Sequence, residues 1–266
     1  MLKVGIVGAG TIGRTVAEAI DRGEVRAELV GITSRTAPRA QALAAALACR
    51  PPVLDLDELI SRAHLIVEAA GGKALETIAP RTLERGKDLM VMSGGALLGR
   101  DDWLALAEAR GVRIFVPSGA IVGLDGVKAA CVGPLRSVTI ESRKPPAGLA
   151  GSPYVVERGI DLDALTAETL IFEGSALEAC KAFPANVNVS AALSLAGVGP
   201  QQTRVKVFCV PGGRFNMHDI VVDGHFGSLR THIENVPTEN PRTGRLSAMS
   251  AVAMLKGLTE TLRVGT

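Results

Sequence analysis

The apolar positions of this chain follow two regimes. Up to about residue 117, short unbroken apolar runs alternate with longer stretches of helical spacing. Residues 3–7, 28–32, 65–69, 89–92 and 113–116 read as strands, and residues 12–21, 38–48, 75–85 and 102–110 read as helices. Strands that are apolar at nearly every position are buried on both faces. Alternating them with amphipathic helices predicts a parallel sheet covered on each side, a Rossmann-type doubly wound α/β domain.

The pattern then changes. Residues 135–141 (LRSVTIE) read as a strand, followed by a Pro- and Gly-rich stretch running from Lys144-Pro145-Pro146 to Pro153. Residues 203–210, 217–222 and 226–233 read as three consecutive strands with Pro211-Gly212-Gly213 and Asp223-Gly224 between them. Tight turns between successive strands predict antiparallel pairing, hence a second α+β domain with a mainly antiparallel sheet. A helix over 187–195 precedes this meander, and a last helix over 246–262 follows the loop 237–244. The expected division is residues 1–118 for the first domain, completed by the returning C-terminal segment 240–266, and residues 119–239 for the second.

The strongest local signal is Gly8-Ala9-Gly10-Thr11-Ile12-Gly13, a G-x-G-x-x-G run placed after a strand and opening a helix. In that context Gly8 permits the tight turn, Gly10 lets backbone approach a pyrophosphate, and Gly13 lets helix and strand pack closely. Amides at the start of the helix, those of Thr11 and Ile12 among them, would face the phosphates. This reads as a dinucleotide site, with a structural turn as the plainer alternative. An acid usually ends the second strand to hold a ribose hydroxyl. Here that neighbourhood is Thr33-Ser34-Arg35, which has none. Ser34 and Arg35 suit a 2′-phosphate, so NADP is expected to be accepted alongside NAD, unless Arg35 is simply solvated at a helix start. Two further glycine-bearing strand ends, Ala70-Gly71-Gly72 and Ser93-Gly94-Gly95, fall where ligands bind in open α/β sheets. Ala70, Gly71 and Ser93 are therefore candidate contacts for the nicotinamide half, against ordinary helix-entry turns.

Charge and cysteine content narrow the partners. A formal net charge of +2 gives no electrostatic footprint for nucleic acid or a membrane surface, so small molecules are expected. Cys49, Cys131, Cys180 and Cys209 lie far apart, which argues against a zinc site or a disulfide framework and suits a reducing cytoplasm. No leader-like N-terminal segment and no membrane-length apolar run is visible.

Hydride transfer belongs to the cofactor, so the protein must supply orientation and a group that handles protons. Histidine suits that task, and there are four. His64 precedes a strand at the edge away from the glycine turn and reads as structural. His232 alternates with polar residues on a strand and reads as solvated. His218 shares a strand face with Asn216 and Ile220, and His225 sits in the next turn. Both stay open as candidates. Pro117-Ser118-Gly119-Ala120-Ile121 leads out of the last parallel strand and is placed to meet both cofactor and substrate. Asn186, in Pro184-Ala185-Asn186-Val187-Asn188, is either a helix cap or a nicotinamide contact.

Several segments together resemble the L-aspartate dehydrogenase family: GAGTIG at 8–13, VEAAGG at 67–72, PSGAIVGLDGVKAA at 117–130, KAFPANVNVSAALSLAG at 181–197, NMHDI at 216–220 and ENPRTGRLSAMSA at 239–251. They run in order over nearly the whole chain. The resemblance implies NAD(P)-dependent, reversible oxidative deamination of L-aspartate to oxaloacetate and ammonia by way of iminoaspartate, a compound that also enters NAD biosynthesis. It implies a catalytic role for His218 and cofactor contacts for Ala120 and Asn186. The substrate carboxylates would need cations, for which Lys128, Arg204, Lys206 and Arg214 are available. A homodimer through the antiparallel sheet is expected by fold analogy. The competing readings are a reductase of the dihydrodipicolinate or homoserine dehydrogenase type and a non-catalytic NAD(P)-binding sensor.

Overall fold

The computed structural model describes residues 1–184, 188–236 and 244–265. It resolves into two compact units, one comprising Met1–Pro117 with Ala248–Arg263 and the other Ser118–Ser247 with the terminal residues from Val264.

The first unit runs β1 (Leu2–Val7), α1 (Thr11–Asp21), β2 (Ala27–Thr33), α2 (Ala37–Ala46), α3 (Leu56–Arg62), β3 (Leu65–Glu68), α4 (Gly72–Glu84), β4 (Asp88–Val91), α5 (Asp101–Arg110) and β5 (Ile114–Phe115). The strands form one parallel sheet in the order β2-β1-β3-β4-β5. Alternate side chains of each strand feed two cores. Val4, Ile6, Ile32, Leu65 and Val67 pack with Val16 and Ile20 of α1 and Leu43 of α2. Ile66, Leu89 and Val91 pack with Leu59 of α3, Leu75 and Leu83 of α4 and Trp103 of α5. This is why β3 reads as an unbroken apolar run: both of its faces are buried.

The second unit holds α6 (Leu124–Ala130), β6 (Leu135–Lys144), α7 (Pro146–Leu149), α8 (Pro153–Glu157), β7 (Thr169–Ser175), α9 (Ala176–Ala182), α10 (Asn188–Ala196), β8 (Arg204–Cys209), β9 (Asn216–Gly224) and β10 (Gly227–Asn235). The chain then ends in α11 (Arg245–Thr259), whose Ala251 and Leu255 lie in the first unit's core beside Val4 and Ile6.

The second sheet has the order β10-β9-β6-β8-β7, with every adjacent pair antiparallel except β6 and β8. This corrects the three-strand meander. Of these three strands only β9 and β10 form a hairpin, and its turn is His225-Phe226, because Asp223 and Gly224 still pair with Ser228 and Gly227; the Pro211-Gly212-Gly213 connection carries the chain past β6 instead of folding β8 onto β9. Strands that follow one another in sequence here are not all neighbours in the sheet. The central position belongs to β6, the earliest strand of the unit, whose inward side chains Val138 and Ile140 are fully buried.

Candidate active site

In the first unit the glycine run closes the turn between β1 and α1. Gly8 adopts φ +114°, and a Cβ there would lie 2.4 Å from the carbonyl oxygen of Ala69. A Cβ on Gly13 would lie 1.9 Å from the carbonyl oxygen of Gly8, so α1 can seat against the turn only with hydrogen at that position. Gly10 differs: a Cβ there would have no neighbour within 4 Å, and open space faces the backbone. Gly10 is also the N-cap of α1, no side chain caps the helix, and no acid lies in its first turn. Amides at a helix start without a side-chain cap, next to open space, are a receptor for an anion.

That space continues as a cleft of about 590 Å³ lined by Gly8, Ala9, Gly10, Ser34, Arg35 and Arg39, among others. Among the described residues no carboxylate lines it. Ser34 Oγ accepts from the amide of Thr36 at 3.4 Å, which shapes the turn out of β2. Arg35 and Arg39 are exposed on the same rim. Uncapped amides beside open space, with two cations on the rim, fit the phosphates of a dinucleotide, and Arg39 is a cation beyond those suggested by the sequence.

The two other glycine-bearing strand ends are brought together by a residue absent from the candidate set. Glu68 ends β3 and is fully buried. One of its carboxylate oxygens accepts from the amides of Ala70 and Gly71, both at 2.8 Å, and from Ser93 Oγ at 3.1 Å; the other accepts from the Ser93 amide at 3.1 Å. A buried carboxylate is tolerable only when its lone pairs are taken up in this way. Glu68 thus ties the ends of β3 and β4 into one rigid edge. In sequence it shows only as an acid closing an otherwise apolar strand.

In the second unit, β6 and β9 pair so that Ser142 lies opposite His218. Their inward face changes character along its length, from Val138, Ile140, Ile220 and Val222 to Ser142, Lys144, Asn216 and His218, all of them buried. Ser142 Oγ and His218 Nδ1 are 2.9 Å apart, and Lys144 Nζ donates to Asn216 Oδ1 at 3.4 Å. Asn235 of β10 stands opposite Asn216 and donates to the carbonyl of Ala120 at 2.8 Å. Ala120 is therefore joined to the cluster through Asn235.

Burial, and then the charge of Lys144, push the His218 imidazolium down to about 3, so at neutral pH the ring is an uncharged proton acceptor. Burial pushes Lys144 down to about 8, which leaves it mainly an ammonium at pH 7. The remaining histidines stand elsewhere. His64 Nδ1 accepts from the Lys3 amide at 3.3 Å, His225 is exposed, and His232 pairs with Asp219 at 2.6 Å on the outer face of the sheet. Of the suggested cations, Arg204 and Lys206 also project from that outer face, and Lys206 sits 3.8 Å from Glu141. Asn186 lies outside the described residues. Among the described residues no group of three or more His, Cys, Asp or Glu side chains is arranged to hold a metal.

Comparison with known proteins decides the family. Residues 125–258 match the family described as aspartate dehydrogenase, C-terminal, and residues 8–117 match the NAD binding domain of homoserine dehydrogenase. An L-aspartate dehydrogenase of Methanosarcina acetivorans is 48% identical over the full length of both chains. The chain belongs to the aspartate dehydrogenase family. Another L-aspartate dehydrogenase, from Bradyrhizobium diazoefficiens, is 43% identical across all of this chain and 94% of its own. The crystal structure of aspartate dehydrogenase from Thermotoga maritima superposes with a TM-score of 0.75 at 25% identity, covering both chains completely. A homoserine dehydrogenase from Thiobacillus denitrificans shares the fold, with a TM-score of 0.64 at 15% identity over 97% of this chain and 73% of its own. As a member of this family, with an NAD-binding N-terminal unit, the chain is an NAD(P)-dependent oxidoreductase. Among the described residues, no helix is long and apolar enough to cross a membrane.

Proposed function

We propose that this protein oxidises L-aspartate with NAD⁺ or NADP⁺ and water to oxaloacetate, ammonia and the reduced cofactor, through iminoaspartate. The observation that carries the reading is a neutral, buried His218 held by Ser142 within the segment that matches the aspartate dehydrogenase C-terminal family. When bound, the dinucleotide supplies the acceptor for the hydride that leaves the substrate α-carbon. The chain supplies the rest. Amides at the start of α1 receive the pyrophosphate, the edge tied by Glu68 supports the nicotinamide half, and His218 takes a proton from the substrate nitrogen or from the water that adds to the imine. Ala120 and Asn186 are assigned as cofactor contacts on the family resemblance. The same resemblance supports a place in NAD biosynthesis.

A homodimer and a cytoplasmic setting belong to the same reading. Four free cysteines suit a reducing compartment. The outer face of the second sheet, where Arg143 pairs with Glu141, Glu168 and Asp219, is the surface suggested for pairing. Light scattering of the purified protein should read twice the chain mass, and a single-chain mass would remove the dimer.

The test is a panel of amino acids and homoserine with NAD⁺ and NADP⁺, followed by absorbance of the reduced cofactor. Turnover is expected with L-aspartate alone; turnover of another substrate in its place would overturn the assignment. A companion measurement addresses the cofactor rim. Arg35→Ala should weaken NADP⁺ by roughly 10- to 100-fold, as loss of a charged hydrogen bond to phosphate does, while NAD⁺ changes little. Equal losses for both cofactors would remove the 2′-phosphate role.

A further inference from the structure

Lys144 is a buried cation with no anion paired to it among the described residues. It is the last residue of β6, on the inward face, and only 2% exposed. Its ammonium donates to Asn216 Oδ1, a neutral acceptor, at 3.4 Å. Among the described residues no carboxylate pairs with it. Glu141, Glu168, Asp219 and Glu234 are engaged on the opposite face of the sheet, by Arg143, Lys206 and His232. Around it the chain packs closely: α7 brings Gly148 so near that a Cβ there would lie 3.5 Å from Lys144 Cβ and 3.6 Å from Asn216 Oδ1. Taking an ammonium out of water without a counter-ion is strongly unfavourable. Cys209, the residue paired with Lys144 on β8, is small and buried and supplies no counter-charge.

We propose that Lys144 is a substrate-binding residue, the cation that receives a carboxylate of a small dicarboxylic amino acid beside His218. The inference rests on the L-aspartate reading and names the group that reading leaves unassigned. One ammonium, one carboxamide, one hydroxyl and a neutral imidazole suit a singly charged carboxylate, whereas a phosphate dianion calls for more donors. Binding there has a second consequence. The charge of Lys144 opposes protonation of His218, so a carboxylate that offsets this charge makes the ring a better base when substrate is present.

The experiment uses Lys144→Met and Lys144→Gln in the full chain with saturating NAD⁺, and reads succinate binding by calorimetry alongside steady-state kinetics. Both variants remove the charge and keep comparable volume, so their melting temperatures should equal or exceed that of the wild type. Succinate affinity and KM for L-aspartate should each worsen by roughly 10²-fold, with KM for NAD⁺ within about twofold. Succinate that binds variants and wild type equally, or fails to bind the wild type at all, overturns the proposal. So do variants that melt lower while binding succinate normally, the signature of a structural lysine. Succinate binding that depends on Lys144 in a wild type that does not turn over L-aspartate would sink the substrate reading and leave this one standing.

Discussion

Replacing His218 by alanine should lower kcat by roughly 10²- to 10⁴-fold, the contribution typical of a positioned acid–base group. The expectation follows from its surroundings. The ring is 2% exposed, shares a hydrogen bond with Ser142, and carries no charge at neutral pH because burial and Lys144 disfavour the imidazolium. Its removal leaves the Ser142 hydroxyl buried without its partner, at a cost of about 1–3 kcal/mol in stability. His218→Asn, which keeps a polar group at the site, separates the two effects. Both variants should retain cofactor affinity, since the proposed dinucleotide contacts in the first unit are untouched. A kcat within a few-fold of the wild type would take the proton-handling role away from this residue.

The second large effect is expected at Gly10. Its backbone angles, φ −85° and ψ −170°, are open to any L-residue, and an added Cβ meets nothing within 4 Å. Gly10→Ala should therefore leave the fold intact, or stabilise it by about 0.4–1 kcal/mol through the unfolded chain. Yet it should weaken NAD⁺ by roughly 10- to 100-fold, because the methyl enters the space the pyrophosphate needs and such overpacking costs about 1–3 kcal/mol. Gly13→Ala is the contrast. Its Cβ would strike the Gly8 carbonyl, so stability and cofactor affinity should fall together. Thermal melts with cofactor titrations of the two variants check the distinction. If Gly10→Ala binds NAD⁺ normally, no phosphate approaches the backbone at that residue.

Much of the first unit was legible from the sequence because its strands are buried on both faces and its helices on one, which writes a strong periodic signal. The seven-residue α3 was too short to show that period, although Asp55 caps it by accepting from the Glu58 amide. In the second unit the signal weakens. In β7 the register shifts between Leu170 and Phe172, so Ile171 and Phe172 are both buried and the alternation fails. The expected end of β6 fell three residues short, at Glu141, because Lys144-Pro145-Pro146 reads as loop. Lys144 was therefore absent from the suggested cations, and the exposed Arg204 and Arg214 stood in its place. Continuing the alternation from Val138 and Ile140 through Ser142 to Lys144 would have placed it on the face of His218. Strand order was out of reach, since turn residues fix where the chain reverses and not which strand it rejoins. Glu68 was hidden for a related reason: its four hydrogen bonds come from three residues at two separate strand ends.

In the proposed reaction hydride passes from the α-carbon of L-aspartate to a nicotinamide held by this chain. This transfer is tested most directly with L-aspartate deuterated at C2, incubated with the purified protein and NAD⁺, and mass analysis of the cofactor. The reduced cofactor should carry one deuterium, with oxaloacetate and ammonia formed in equal amount. Reduced cofactor without deuterium, or none formed while bound NAD⁺ is demonstrable, would contradict that transfer.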